Sequence, residues 1–194
     1  MLKLQMGIGR YASALIVFAV ALTLTGPASP ASKAQSQAEA RRVAHQTLAR
    51  LYKLQPAAKT AVERSAGYAV FSNFGMKILL AGGGKGEGVA VNNKTKQETF
   101  MKMVEIQAGL GLGVKKFRLI WIFERPEAFD SFVNSGWELG GQMTAAAQLG
   151  EGGASTAGAL SVSPGVWLYQ LTDDGLALEL TAKGTKYYKD DALN

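Results

Sequence analysis

Residues 78–91 read ILLAGGGKGEGVAV and residues 105–114 read EIQAGLGLGV. Gly82, Gly84, Gly86 and Gly88 fall on alternate positions of the first stretch. Gly109, Gly111 and Gly113 do the same in the second, which leaves Leu110, Leu112 and Val114 on the other side. Period-two alternation is the mark of a β-strand. The pattern therefore predicts two strands that each present one face almost without side chains. Such a face lets another backbone approach, lets the strand coil sharply, or leaves room for a ligand. Curvature of a nearly closed sheet and a groove floored by glycine are both open on this evidence.

Working outward, Tyr68-Ala-Val-Phe71 is a short β-type run. Asn92-Asn93-Lys94-Thr95-Lys96 is a polar turn, with Gln97 to Val104 as the strand that pairs back. Phe117 to Phe123 (FRLIWIF) has the continuous apolar character of a buried strand. Arg125-Pro126-Glu127 stops it, and Glu127 to Asn134 reads as a short helix with Ala128, Phe129, Phe132 and Val133 inward. Trp137 to Leu149, Ala159 to Leu171 and Leu176 to Lys183 supply further short strands, with Asp173-Asp174-Gly175 as a hairpin signal.

Upstream the composition changes: residues 32–66 contain no glycine. Gln35 to Leu54 is built from good helix formers. Ala44, Leu48, Leu51 and Gln55 recur at helical spacing, flanked by Ala40, Thr47 and Leu54. Arg41, Arg42, Arg50 and Lys53 lie off that face, and Pro56 opens a second short helix, Ala57 to Arg64. A basic amphipathic helix either lies on a membrane surface or packs on its own domain. The narrow, alanine-rich apolar face suits the second. The expected fold class is α+β: N-terminal helices, then a coiled, mostly antiparallel glycine-rich β-sheet approaching a barrel, with one short inserted helix.

Residues 1–31 read as a signal peptide. Lys3 and Arg10 precede an uncharged apolar run, Ala12 to Leu24, which Gly26 and Pro27 break. An S-x-A site follows at Ser29–Ala31 and a second at Ser32–Ala34. The rival is an uncleaved anchor, but the run is shorter than the ~20 residues that span a bilayer. Export to a periplasm or beyond is the resulting expectation. The remaining domains are a helical segment, 32–66, and a β-rich domain, 67–194.

Composition narrows the chemistry. A chain of 194 residues with 47% apolar and 19% charged residues suits one domain with a real core. With no cysteine, thiol nucleophiles, Cys-ligated metals and a lipoprotein anchor are excluded, and His45 is the single histidine. No cofactor motif is present: Ala81 to Gly88 and Gly109 to Gly113 do not match G-x-G-x-x-G, and Gly84-Lys85-Gly86 lacks the rest of a P-loop. Glu124, Glu127 and Asp130 sit at a strand end and a helix start, with nothing to mark an acid–base pair. The expectation is a protein that is not an enzyme. Losing residues 1–31 removes Lys3 and Arg10 and leaves 19 basic against 15 acidic residues, a net charge of +4. That favours anionic lipid headgroups as partner over nucleic acid. Lys85, Lys115, Lys116 and Arg118 border the glycine stretches, with Lys94, Lys96 and Lys102 around the intervening turn, and together they suggest a basic rim.

Several of these stretches resemble the SYLF-domain family: Ala69-Val-Phe71, Leu80-Ala-Gly-Gly-Gly84 with Gly86 and Gly88, and Gly109-Leu-Gly-Leu-Gly113. Phe129 with Phe132, Asp174-Gly175-Leu176, and Lys186-Tyr-Tyr-Lys-Asp190 followed by Leu193-Asn194 add to the likeness, which covers about 67–194. The resemblance implies membrane-lipid binding, in part through an amphipathic N-terminal segment. Its eukaryotic members bind phosphoinositides and some fungal ones bind actin, and neither ligand is expected in a periplasm. Only the general headgroup preference transfers, and no catalytic residue comes with it.

Two functions follow as expectations. The first is non-enzymatic binding of anionic phospholipid by Arg41, Arg42, Arg50 and Lys53 on the helix and the rim of Lys85, Lys115, Lys116 and Arg118. The second is an envelope structural or stress-response module with a protein partner, in which the glycines serve curvature alone. A third, a small-ligand pocket, requires a deep cavity lined by polar groups.

Overall fold

In the computed structural model, Ser32 caps the first helix with a reciprocal pair of hydrogen bonds. Its hydroxyl accepts from the Gln35 amide at 3.3 Å, and the Gln35 side chain accepts from the Ser32 amide at 2.8 Å. The structure describes residues 32–78, 81–108, 113–140, 148–149, 156–177 and 184–194. The leader reading of 1–31, Gly109, Gly111 and parts of the strands expected over Trp137–Leu149 and Leu176–Lys183 lie outside them.

Helix α1 (Lys33–Leu54) buries Ala40, Ala44, Thr47, Leu48 and Leu51. Helix α2 (Ala57–Arg64) follows Pro56 and buries Ala58 and Val62. Both cover one face of the sheet, in a cluster with Val70, Val89, Phe100, Ile120, Ile122, Tyr169 and Leu171. The amphipathic face of α1 is thus used for packing on its own domain, where each large apolar side chain withdrawn from water contributes about 1.5–3 kcal/mol.

Ten strands among the described residues form one antiparallel sheet: β1 (Gly67–Ile78), β2 (Ala81–Asn92), β3 (Glu98–Ala108), β4 (Gly113–Phe123), β5 (Trp137–Leu139), β6 (Gln148–Leu149), β7 (Leu160–Ser163), β8 (Val166–Thr172), β9 (Gly175–Ala177) and β10 (Thr185–Lys189). Their order is β5-β10-β3-β2-β1-β4-β8-β7-β6, with β9 also on β8. Strand β1 sits near the middle, with Gly67 to Ile78 matched against Asn92 to Ala81 on β2 and Gly67 to Lys77 against Phe123 to Gly113 on β4. Two expected boundaries move. Ile78 ends β1 rather than opening β2, which begins at Ala81, because alternation alone does not mark where a strand reverses. Glu105 and Val114 belong to different strands, because β3 ends at Ala108 and β4 starts at Gly113. The Asp173–Asp174 hairpin forms, with Thr172 paired to Gly175. Strand β10, whose residues the sequence reading left unassigned, pairs with both β3 and β5.

The other sheet face carries a second cluster around helix α3 (Pro126–Ser135), which buries Phe129, Phe132 and Val133. The Phe132 ring lies 4.9 Å from Phe123, 5.5 Å from Trp121 and 5.5 Å from Tyr187, centroid to centroid. Trp121 on β4 and Tyr187 on β10 are four strand spacings apart along the sheet, about 19 Å if it were flat. Their rings are 5.2 Å apart. The sheet is therefore curled, with α3 and this aromatic cluster on the concave side.

Glycine makes that curl possible. A Cβ at Gly88 would lie 2.4 Å from the Val70 carbonyl oxygen and 2.5 Å from the Phe71 ring. At Gly86 it would lie 2.5 Å from the Met103 side chain and 2.7 Å from the Ser72 carbonyl oxygen. At these two positions the bare face is filled by neighbours, and packing between strongly coiled strands is its physical role.

Candidate anion-binding site

Alternation along a strand puts residues two apart on one face, so Lys116 and Arg118 of β4 share the face that carries α1. The register extends this face sideways. Phe74 of β1 is matched to Lys85 on one side and Lys116 on the other, and Ser72 to Glu87 and Arg118. Lys85, Lys116 and Arg118 therefore occupy two adjacent cross-strand rows, alongside α1.

Helix α1 contributes the third cation of the pocket. An Arg50 Nη2 donates to the carbonyl oxygens of Thr172 at 2.6 Å and Asp173 at 2.9 Å, which ties the helix to the β8–β9 hairpin. Arg50, Ser72, Lys116, Arg118, Leu171 and Thr172 line a pocket of about 220 Å³ there, with Phe117 and Asp173 completing the wall. Arg118 is half-buried. Among the described residues neither Lys116 nor Arg118 has a hydrogen-bond or carboxylate partner. A half-buried guanidinium without an acceptor carries an unmet desolvation cost that a bound anion offsets. A second pocket, about 300 Å³, continues along α1 past Ser72 to Val43, Lys85, Glu87 and Glu39.

The remaining helix cations have other tasks. Arg41 bonds Glu98 at 2.6 Å and lies 5.0 Å above the Phe100 ring. Arg42 donates its Nε to Glu39 at 2.7 Å. The Arg42 guanidinium holds the Glu39 carboxyl below its ordinary pKa. Lys53 is exposed in the last turn. Lys115 is matched to Gly75 in the register, and its side chain lies outside the described residues. Lys94 and Lys96 do not reach the rim: they sit in the β2–β3 turn, seven or more residues along from Lys85, about 20 Å or more at strand rise. Lys102 stands opposite Glu87 and bonds the buried Asp190 carboxylate at 2.8 Å, which raises its pKa.

Other candidates resolve plainly. His45 is exposed on α1. The Trp167 indole donates to Glu124 at 2.8 Å, and the Trp137 indole to Ser131 at 3.3 Å. Among the described residues no helix is long and apolar enough to cross a membrane. Sequence reasoning missed Ser72, which joins the two pockets. It also missed the pairing of Lys102 with Asp190, because the residues of β10 were not assigned to a strand.

No protein-family model matches the chain. It is similar to Beta cell expansion factor A of Aeromonas veronii, with 32% identity over 165 residues that make up 85% of this chain and 61% of that protein. The chain thus spans about three fifths of the length of this relative.

Proposed function

We propose that this chain is a non-enzymatic protein of the cell envelope that binds anionic phospholipid headgroups after export. The observation that carries the reading is the pocket at Arg50, Lys116 and Arg118, in which the two strand cations have no anionic partner among the described residues. A headgroup phosphate offers the acceptor oxygens that such a cluster takes. The resemblance to the SYLF domain supports the same ligand class. The route differs from the helix-on-membrane expectation, because Ala40, Ala44, Leu48 and Leu51 of α1 are buried against the sheet, with Leu54 at its end left exposed. Attachment is therefore a matter of charge and headgroup contact rather than insertion of α1.

The test is co-sedimentation of residues 32–194 with vesicles of phosphatidylcholine, with and without phosphatidylglycerol, at low and high salt. Each Lys or Arg near an anionic surface is worth about 1 kcal/mol, so Lys116→Gln with Arg118→Gln lowers binding by roughly tenfold or more. Binding is expected to need phosphatidylglycerol and to weaken with salt. Equal binding to both vesicle types, or an unchanged double variant, refutes the reading.

A further inference from the structure

The anion pocket has a neighbour of opposite sign. Ser72 lines both the first pocket, about 220 Å³, and the second, about 300 Å³. In the first, Arg50, Lys116 and Arg118 outweigh Asp173, and cations dominate. In the second, Lys85 is outnumbered by two carboxylates, Glu39 and Glu87.

The register fixes this division. Ser72 of β1 is matched to Arg118 of β4 on one side and to Glu87 of β2 on the other. The row therefore runs from guanidinium through hydroxyl to carboxylate, on the face that carries α1. Its ends are two strand spacings apart, about 10 Å between backbones. The long arginine and glutamate side chains narrow that gap.

Most charges nearby are already taken. Glu39 accepts from Arg42 at 2.7 Å. Lys102 stands opposite Glu87 across β3, but its ammonium bonds the Asp190 carboxylate at 2.8 Å. Glu87 is exposed and forms no ion pair among the described residues. The half-buried Ser72 hydroxyl makes no hydrogen bond among them either. The row thus offers donors at one end, a free hydroxyl in the middle and an acceptor at the other end.

These groups constrain the ligand. A lone phosphate answers Lys116 and Arg118 and leaves Glu87 unmet. A second phosphate would lie against Glu87 and Glu39, and like charges brought together are costly. A phosphate joined through two carbons to a primary ammonium answers both ends. Its oxygens accept from Lys116 and Arg118, an ester oxygen accepts from Ser72, and its N–H groups donate to Glu87. A trimethylated nitrogen has no N–H to give.

We propose that the groove beside α1 binds a phosphoethanolamine group, with the phosphate at Lys116 and Arg118 and the primary ammonium at Glu87. This rests on the anion-pocket reading and names the headgroup that the pocket selects once anionic lipid has drawn the chain to a surface. The group comes either from phosphatidylethanolamine or from a free phosphoethanolamine.

The experiment uses the purified chain and vesicles with a fixed fraction of phosphatidylglycerol, the remainder being phosphatidylethanolamine or phosphatidylcholine. The parent is expected to bind the ethanolamine vesicles roughly threefold more tightly. Glu87→Gln is expected to bind both kinds equally, and no more weakly than the parent binds the choline kind, with an unchanged thermal midpoint. Calorimetric titration with O-phosphoethanolamine, and with phosphocholine as control, separates the sources. Heat from the first alone assigns a free ligand, and no heat beside a vesicle preference assigns the lipid. Parent binding that needs phosphatidylglycerol but ignores ethanolamine overturns this proposal and leaves the anion pocket standing. Absence of binding to either vesicle overturns both. A Glu87→Gln chain that keeps the preference, or that loses binding to both vesicle kinds, also overturns the proposal.

Discussion

Two glycines of β2 make a paired test of what the side-chain-free surface is for. At Gly88 an added methyl would sit 2.4 Å from the Val70 carbonyl oxygen and 2.5 Å from the ring of Phe71. Neither neighbour can yield: one is backbone in the most central region of the sheet, and the other is fully buried. At Gly83, on the opposite face, the nearest atom to such a methyl is the Glu105 carbonyl oxygen at 3.5 Å, an ordinary contact. Overpacking a core costs about 1–3 kcal/mol, while replacing glycine by alanine returns about 0.4–1 kcal/mol through the unfolded chain where the backbone permits it. Gly88→Ala should therefore lose roughly 2 kcal/mol. At ~2–4 °C per kcal/mol for a domain of this size, that is a fall of about 4–8 °C in thermal midpoint. Gly83→Ala should stay level or gain slightly. Urea titrations followed by tryptophan fluorescence, with circular dichroism melts, measure both. A Gly88→Ala protein as stable as its parent would show that the surface there is open space, and the packing account of the glycines would fail.

Further predictions follow from the aromatic cluster and the tyrosines. Phe132 is fully buried and meets five other rings, so Phe132→Ala should cost about 3–5 kcal/mol by urea unfolding; a loss below 1 kcal/mol would place α3 off the core. Burial pushes Tyr52 and Tyr169 up to about 12. The folded chain thus keeps protons that the unfolded chain releases near pH 10, so stability holds below pH 10 and drains away as pH rises toward 12. A spectrophotometric titration in which all six tyrosines ionise near pH 10 with the fold intact contradicts this.

Local elements were legible because local chemistry decides them. Apolar spacing placed α1, Pro56 placed α2, Phe129 and Phe132 placed the inner face of α3, and Asp173-Asp174-Gly175 placed the β8–β9 turn. The reversal between β1 and β2 was not, because alternation alone does not say where a strand reverses. That error carried into the site. Where the turns fall fixes which lysines come level across the sheet, so Lys116 and Lys85 flank Phe74 while Lys94 and Lys96 end up at the far end of their strands. The aim of Arg50 at the β8–β9 hairpin, and the meeting of Trp121 with Tyr187, depend on the curl of the whole sheet and on pairings between distant segments. No window of sequence contains them.

The position of β10 sets a schedule for folding. It is the most C-terminal strand described, yet it inserts between β3 and β5 and brings Tyr187 into the aromatic cluster. The β1–β2–β3 meander is local and quick to form, but until β10 docks the outer edge of β3 has unpaired amides and the core lacks one of its largest side chains. Such long-range closure is slow, and an open edge during the wait invites pairing with another chain. Refolding should therefore show a slow final phase in which Tyr187 becomes buried, and the chain's greatest tendency to aggregate belongs to that interval rather than to the native state.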